Sequence, residues 1–99
     1  MNMQFGEFDW DEDKRSSNIE KHGIDFEDAI EVFEYSNYTA PSHHSTEQRF
    51  ITVGWMQGRE IAVIYTIRGQ TARIISARRA RTNERKALHE TTRGRSPEG

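Results

Sequence analysis

The chain has 99 residues with 14 Lys and Arg, 16 Asp and Glu, four His and no Cys, a net charge of −2. That length suits one small domain, and the missing cysteines exclude a disulfide framework, a thiolate zinc site and a cysteine nucleophile. The longest apolar run, Ile61-Ala62-Val63-Ile64-Tyr65, is far short of the ~20 residues of a membrane span.

The small net charge hides a division. Residues 1–47 carry three basic residues against twelve acidic ones, net −9, and residues 48–99 carry eleven against four, net +7. Such asymmetry suggests one surface facing a polyanion, or two halves that neutralise each other across the fold. The N-terminal segment lacks the charged-then-apolar pattern of a secretory leader, so a cytoplasmic protein is expected.

Phe5 to Trp10 is short and aromatic, an edge strand or an anchoring segment. Asp11 is placed to cap a first helix, with Glu12 and Asp13 at its positive end and Gly23 as its left-handed stop. Its stripe is thin: Arg15, Ile19 and His22 share a face. Asp25 caps a second helix, whose Phe26, Ala29, Ile30 and Phe33 form one apolar stripe. Asn37 to Ser45 reads as a loop. Three strands are expected at Arg49–Met56, Glu60–Ile67 and Thr71–Arg78, joined by turns at Gln57-Gly58 and Arg68-Gly69-Gln70. The middle one is almost wholly apolar, hence central and covered on both faces, part of that cover being available to another chain. A last helix, Thr82 to Thr92, has only Ala87 and Leu88 to bury. The expected fold class is α+β: helix, helix, an antiparallel meander of three to four strands, helix, in a single domain over 1–92 with a loose tail at 93–99.

The residues Phe8-Asp9-Trp10-Asp11, Lys14, Asn18, Lys21-His22-Gly23-Ile24, Phe26-Glu27, Ala29 and Val32-Phe33 resemble the N-terminal half of the BrnT toxins. Arg49-Phe50, Gly54, Tyr65-Thr66, Arg68-Gly69 and the run Arg73-Ile74-Ile75-Ser76-Ala77-Arg78-Arg79-Ala80 with Glu84-Arg85 resemble the C-terminal half. The resemblance implies a RelE-like fold and a metal-independent endoribonuclease with no cofactor. It further implies growth inhibition through loss of translation. The implied partner is a BrnA-like ribbon-helix-helix antitoxin, in a heterotetramer that binds operator DNA through the antitoxin.

Metal-free RNA cleavage needs a base for the 2′-hydroxyl, charge at the phosphoryl oxygens and an acid for the leaving 5′-oxygen. Arg68 and Arg78 are the expected phosphate-binding catalytic residues, with His22 and Glu84 as proton carriers. Arg73, Arg79, Arg81, Lys14 and His44 are expected to bind RNA, and no metal site is expected. Strand parity puts Arg73 and Arg79 on one face and Arg78 on the other, so one shared site requires a twist or bulge at the strand's exit. Plainer roles compete: solvated arginines, His22 capping its helix, Glu84 facing the helix dipole, Lys14 and Lys21 beside Glu20 and Asp25, and Trp10, Trp55 and Tyr65 packing in the core rather than stacking on bases. The alternative function is a non-catalytic protein- or RNA-binding module of the same fold.

Overall fold

The apolar run around Val63 organises the molecule. In the computed structural model, which describes residues 6–42 and 46–92, the elements in chain order are β1 (Glu7–Trp10), α1 (Glu12–His22), α2 (Phe26–Ala29) continued by a 3-10 turn (Ile30–Phe33), β2 (Tyr38–Ser42), β3 (Arg49–Met56), β4 (Arg59–Arg68), β5 (Thr71–Arg79) and α3 (Thr82–Thr91). The strands form one sheet in the order β1-β5-β4-β3-β2, with β4 in the middle. The pair β1–β5 is parallel and the other three pairs are antiparallel.

Alternation along β4 builds two cores. Ile61, Val63 and Tyr65 face the helical layer of Ile24, Phe26, Ala29, Val32 and Phe33. Ala62 faces the other way and packs with Val53, Ala80 and Leu88 of α3, flanked by Tyr38, Ile51 and Trp55. α3 from this same chain therefore covers part of the second face, with Leu88 fully buried beneath it. Tyr65 is fully buried, its hydroxyl 2.7 Å from that of Thr52, so it is a core residue and cannot stack on a base.

The helix ends follow the expected chemistry. The Asp11 carboxylate accepts from the N–H groups of Asp13 and Lys14, and Gly23, at φ 70°, closes α1 by donating to the Ile19 carbonyl. Only glycine fits at position 54, because a Cβ there would lie 2.9 Å from the Val32 carbonyl oxygen. That close approach lets the 3-10 turn rest directly on β3.

Four expectations need correction. The sheet has five strands rather than three or four, because both flanks contribute edges. Tyr38–Ser42, expected as loop, is edge strand β2. The Asn37 amide donates to the Val32 and Tyr35 carbonyls to close the preceding turn, and the Thr39 and Thr52 hydroxyls meet across the strands at 2.8 Å. Pro41 is tolerated on an edge strand, where its missing donor is least needed. The second helix tightens into 3-10 geometry after Ala29, which turns the Val32–Phe33 end onto the sheet.

The fourth correction concerns strand parity. Along β4 the β5 partners jump from Ser76, opposite Ile64, to Ile74, opposite Tyr65, leaving Ile75 as an extra residue. Such a bulge inverts the alternation on one side of it. Arg73 opposite Thr66 and Arg78 opposite Ala62 consequently share a face, while Arg79 opposite Ile61 points to the other. Residues 93–99, and with them the expected tail, lie outside the described residues, as do Phe5, His43 and His44.

α1 contributes a single buried residue to the fold, and it is polar. Asn18 Nδ2 donates to the carbonyls of Ile24 (2.9 Å) and Ala77 (2.8 Å), and Oδ1 accepts from the Ala77 N–H at 3.1 Å. β1 pairs with β5 only as far as Ile74. Beyond it the asparagine amide takes the place of a neighbouring strand and satisfies both backbone groups of Ala77.

Candidate functional site

Among the described residues, helix packing on the second face of the sheet gathers at one end. α3 lies over the end holding Val53 and Ala62. At the opposite end, register sets up a row across all five strands. Ser42 pairs with Arg49, which precedes Phe50 opposite Tyr65 and so falls beside Thr66; Thr66 pairs with Arg73, and Arg73 with Asp9. Arg68, two residues beyond Thr66, is the next side chain outward on the same face. Adjacent strands are ~4.8 Å apart and same-face residues ~7 Å, so the backbones of Arg49, Arg68 and Arg73 lie within about 10 Å of one another. Among the described residues the apolar contacts of α3 lie with Val53, Ala62, Tyr38, Ile51 and Trp55, none of them in this row, and Thr66 at its centre is itself buried.

Each arginine at the row is held lightly. Arg49 Nε is 3.2 Å from Glu47 and Arg73 Nη1 is 3.3 Å from Asp9, with the Asp9 side chain 51% exposed. Single contacts of this kind between partly solvated groups are individually weak, and an incoming phosphate can displace the carboxylate. Arg68 is exposed at the strand end, beside the turn at Gly69.

Arg78 and Glu84 are differently engaged. Their two hydrogen bonds, 2.7 and 2.9 Å, form a bidentate pair, with the side chains only 18% and 14% exposed. Glu84 also accepts from the Arg81 N–H at 2.8 Å, which makes Arg81 the N-terminal cap of α3. The hydrogen bond to Arg78 is the main cause that holds the Glu84 carboxyl below its ordinary range, and the same bond raises Arg78. Arg78 pairs with Ala62, six residues from Arg68 on β4. That spacing is roughly 20 Å of strand, too far for both guanidiniums to grip one phosphate.

The Arg78–Glu84 pair fastens α3 to β5 and carries a pH dependence. A carboxyl lowered on folding stabilises the native state above its unfolded pKa and loses that contribution as pH falls through the folded value. Stability is therefore expected to decline as pH drops below about 4.5, the ordinary glutamate value. Glu84→Gln should be less stable at neutral pH and lose less on acidification, the remaining loss coming from Asp25, which its hydrogen bond to Arg15 lowers in the same way. Urea midpoints measured between pH 7 and pH 3 test this; parallel curves for the two proteins would refute it.

The remaining candidates gather elsewhere. Lys14 and His22 line a hollow of about 280 Å³ with Ser17, Asn18, Lys21, Ile75 and Ser76, at the β5 edge where the strand bulges. None of the arginines lines it. The four expected catalytic residues are thus dispersed: Arg68 at the row, Arg78 with Glu84 under α3, His22 in the hollow. Of the expected RNA-binding residues, Arg73 is in the row, Lys14 is in the hollow, and Arg79 and Arg81 are exposed outside both. His44 lies outside the described residues. Arg49 was missed as a site residue; its signal was alternation with Ile51 and Val53, which aims it at the second face.

Residues 10–84 match the model of a family described as the ribonuclease toxin, BrnT, of type II toxin–antitoxin systems. The fold is similar to the crystal structure of the Brucella abortus ribonuclease toxin BrnT, with a TM-score of 0.65 and 37% identity over 77% of this chain and 97% of that one. Among curated proteins no match is found. No helix among the described residues is long and apolar enough to cross a membrane.

Proposed function

Because this chain belongs to the BrnT family of type II toxin ribonucleases, we propose that it cleaves RNA without a metal, at the arginine row around Thr66. The ribose 2′-hydroxyl loses its proton to water as its oxygen attacks the adjacent phosphorus, the bond from phosphorus to the 5′-oxygen breaks, that oxygen takes a proton from water, and the products end in a 2′,3′-cyclic phosphate and a 5′-hydroxyl. Internal attack makes positioning and charge the main demands. Arg49, Arg68 and Arg73 supply both, by gripping the phosphoryl oxygens as negative charge grows on them. The observation that carries this reading is the grouping of three arginines around Thr66, at the end of the second face away from the described α3 contacts.

Arg78 and Glu84 are assigned a supporting role. A carboxylate already bonded to a guanidinium and a backbone N–H, and lowered by them, is a poor proton acceptor; the pair sets the position of α3 at the border of the site. The proposed partner is a BrnA-like ribbon-helix-helix antitoxin, which silences the toxin in a heterotetramer and binds operator DNA. The proposed setting is the cytoplasm, where free toxin stops translation and growth.

Purified, antitoxin-free protein is expected to cut single-stranded RNA in EDTA and to leave cyclic phosphate ends. RNA bound but left intact by a folded sample would refute this and favour the non-catalytic module.

A further inference from the structure

α1 turns an unusual face toward the sheet. Residues 14, 17, 18, 21 and 22 follow the i, i+3, i+4, i+7, i+8 spacing of one helical stripe, the stripe that ordinarily buries apolar side chains. Here it reads Lys-Ser-Asn-Lys-His. Asn18 alone is buried, bonded to Ala77 and Ile24. The other four line the hollow against Ile75 and Ser76, and no acidic residue does.

The charges around the hollow are the decisive observation. Residues 1–47 hold twelve carboxylates and only three cations. One cation, Arg15, is bonded to Asp25 at 2.8 Å and to Glu12 at 3.1 Å. Asp25, a candidate partner for the lysines, is thereby occupied. Among the described residues neither Lys14 nor Lys21 forms an ion pair, and both are exposed. Two cations without partners in the most acidic part of the chain meet in one hollow, with the hydroxyls of Ser17 and Ser76 between helix and strand.

We propose that this hollow binds a backbone phosphate of single-stranded RNA, as a second anion site distinct from the arginine row. The ribonuclease reading supplies the identity of the ligand, and the site itself stands on the lysine pair and its hollow. A volume of about 280 Å³ is small beside the ~300–1,000 Å³ of a drug-sized ligand site and suits one phosphate with its sugar. The lysines bind as point charges with no base-edge contact, so the site adds affinity without sequence preference. The position also gives RNA a path: Ser76 lies on β5 between Arg73 and Arg78, so a strand crossing the row and leaving over the β5 edge meets the hollow next.

The test uses the full chain and a single-stranded oligonucleotide whose 2′-positions are all O-methylated, so that binding is read without cleavage. Fluorescence anisotropy across salt concentrations is compared for wild type and Lys14→Gln/Lys21→Gln. Glutamine keeps helix propensity at two exposed positions, and circular dichroism verifies the fold. Each lost phosphate contact should reduce the log–log salt slope by about 0.7 and weaken binding roughly fivefold at 0.1 M salt. Inorganic phosphate titrated against labelled protein should shift the Ser17 and Ser76 amides in wild type and leave them unmoved in the variant. Equal salt slopes, no oligonucleotide binding by wild type, or phosphate shifts that survive in the variant would each overturn the proposal. If RNA is cut yet the slopes are equal, this inference fails alone; if RNA is not cut yet the slope falls, the ribonuclease reading fails alone.

Discussion

Asn18→Ala is expected to lower the unfolding free energy by about 3 kcal/mol, and the melting temperature by roughly 10–20 °C. The mutation deletes one amide but orphans three buried backbone groups: the Ala77 N–H, the Ala77 carbonyl and the Ile24 carbonyl. Each such group costs roughly 1–3 kcal/mol when unsatisfied, and the adjoining hollow admits water that returns part of the loss. Against a typical total of about 5–15 kcal/mol this is a large fraction. Asn18→Asp separates polarity from hydrogen bonding. The carboxylate still accepts from Ala77 N–H but sets its second oxygen against two carbonyls, so it should be no better than alanine. Equilibrium urea unfolding of the three proteins measures it. A loss under 1 kcal/mol for Asn18→Ala would mean that the β5 edge is not held by this residue.

Arg73→Ala is expected to reduce RNA cleavage by about 100- to 1,000-fold, the usual loss when one preorganised charge donor is removed. The fall should appear in kcat and in kcat/KM alike, because the guanidinium matters most once charge has developed on the phosphoryl oxygens. Folding should be little changed, since the ion pair with Asp9 is exposed and single,. Arg73→Lys should recover only a small part: an ammonium keeps the charge but not the planar fork that holds two oxygens at once. Arg79→Ala is the contrast. Its side chain is exposed on the opposite face, and less than a tenfold loss is expected. A reversal of that order, with Arg79 dominant and Arg73 neutral, would place the active face on the wrong side of the sheet.

What was legible before the structure and what was not divide along the range of the interactions. β3 spans Arg49–Met56 as expected, and β4 and β5 lie within about a residue of their expected bounds at each end. Asp11, Gly23 and Asp25 act as the caps they resemble. Gln57 and Gly58 both take positive φ at the hairpin turn. These features are local: a cap, a turn or an alternation is decided by residues a few positions apart. β2 was hidden because its sequence is polar and contains Pro41; pairing with β3, from Ser42 with Arg49 to Tyr38 with Val53, makes it a strand. The parallel pairing of β1 with β5 reaches across both helices and the three intervening strands and leaves no periodic mark.

The amino-acid sequence by itself determined the caps of α1 and the start of α2, the apolar central strand, the split of charge between the halves, and the ordered motifs that mark the family. Tertiary structure decided which charges meet. A single extra residue, Ile75, puts Arg73 and Arg78 on one face, and α3 then shields the Arg78 end while Arg49 joins Arg73 from across β4. It also decided that Asn18 stands in for a strand and that Lys14, Lys21 and His22 share a hollow. The reason is geometric: strand alternation has period two, so one unpaired residue reverses every side chain beyond it, and no local propensity in this chain announces where that residue falls.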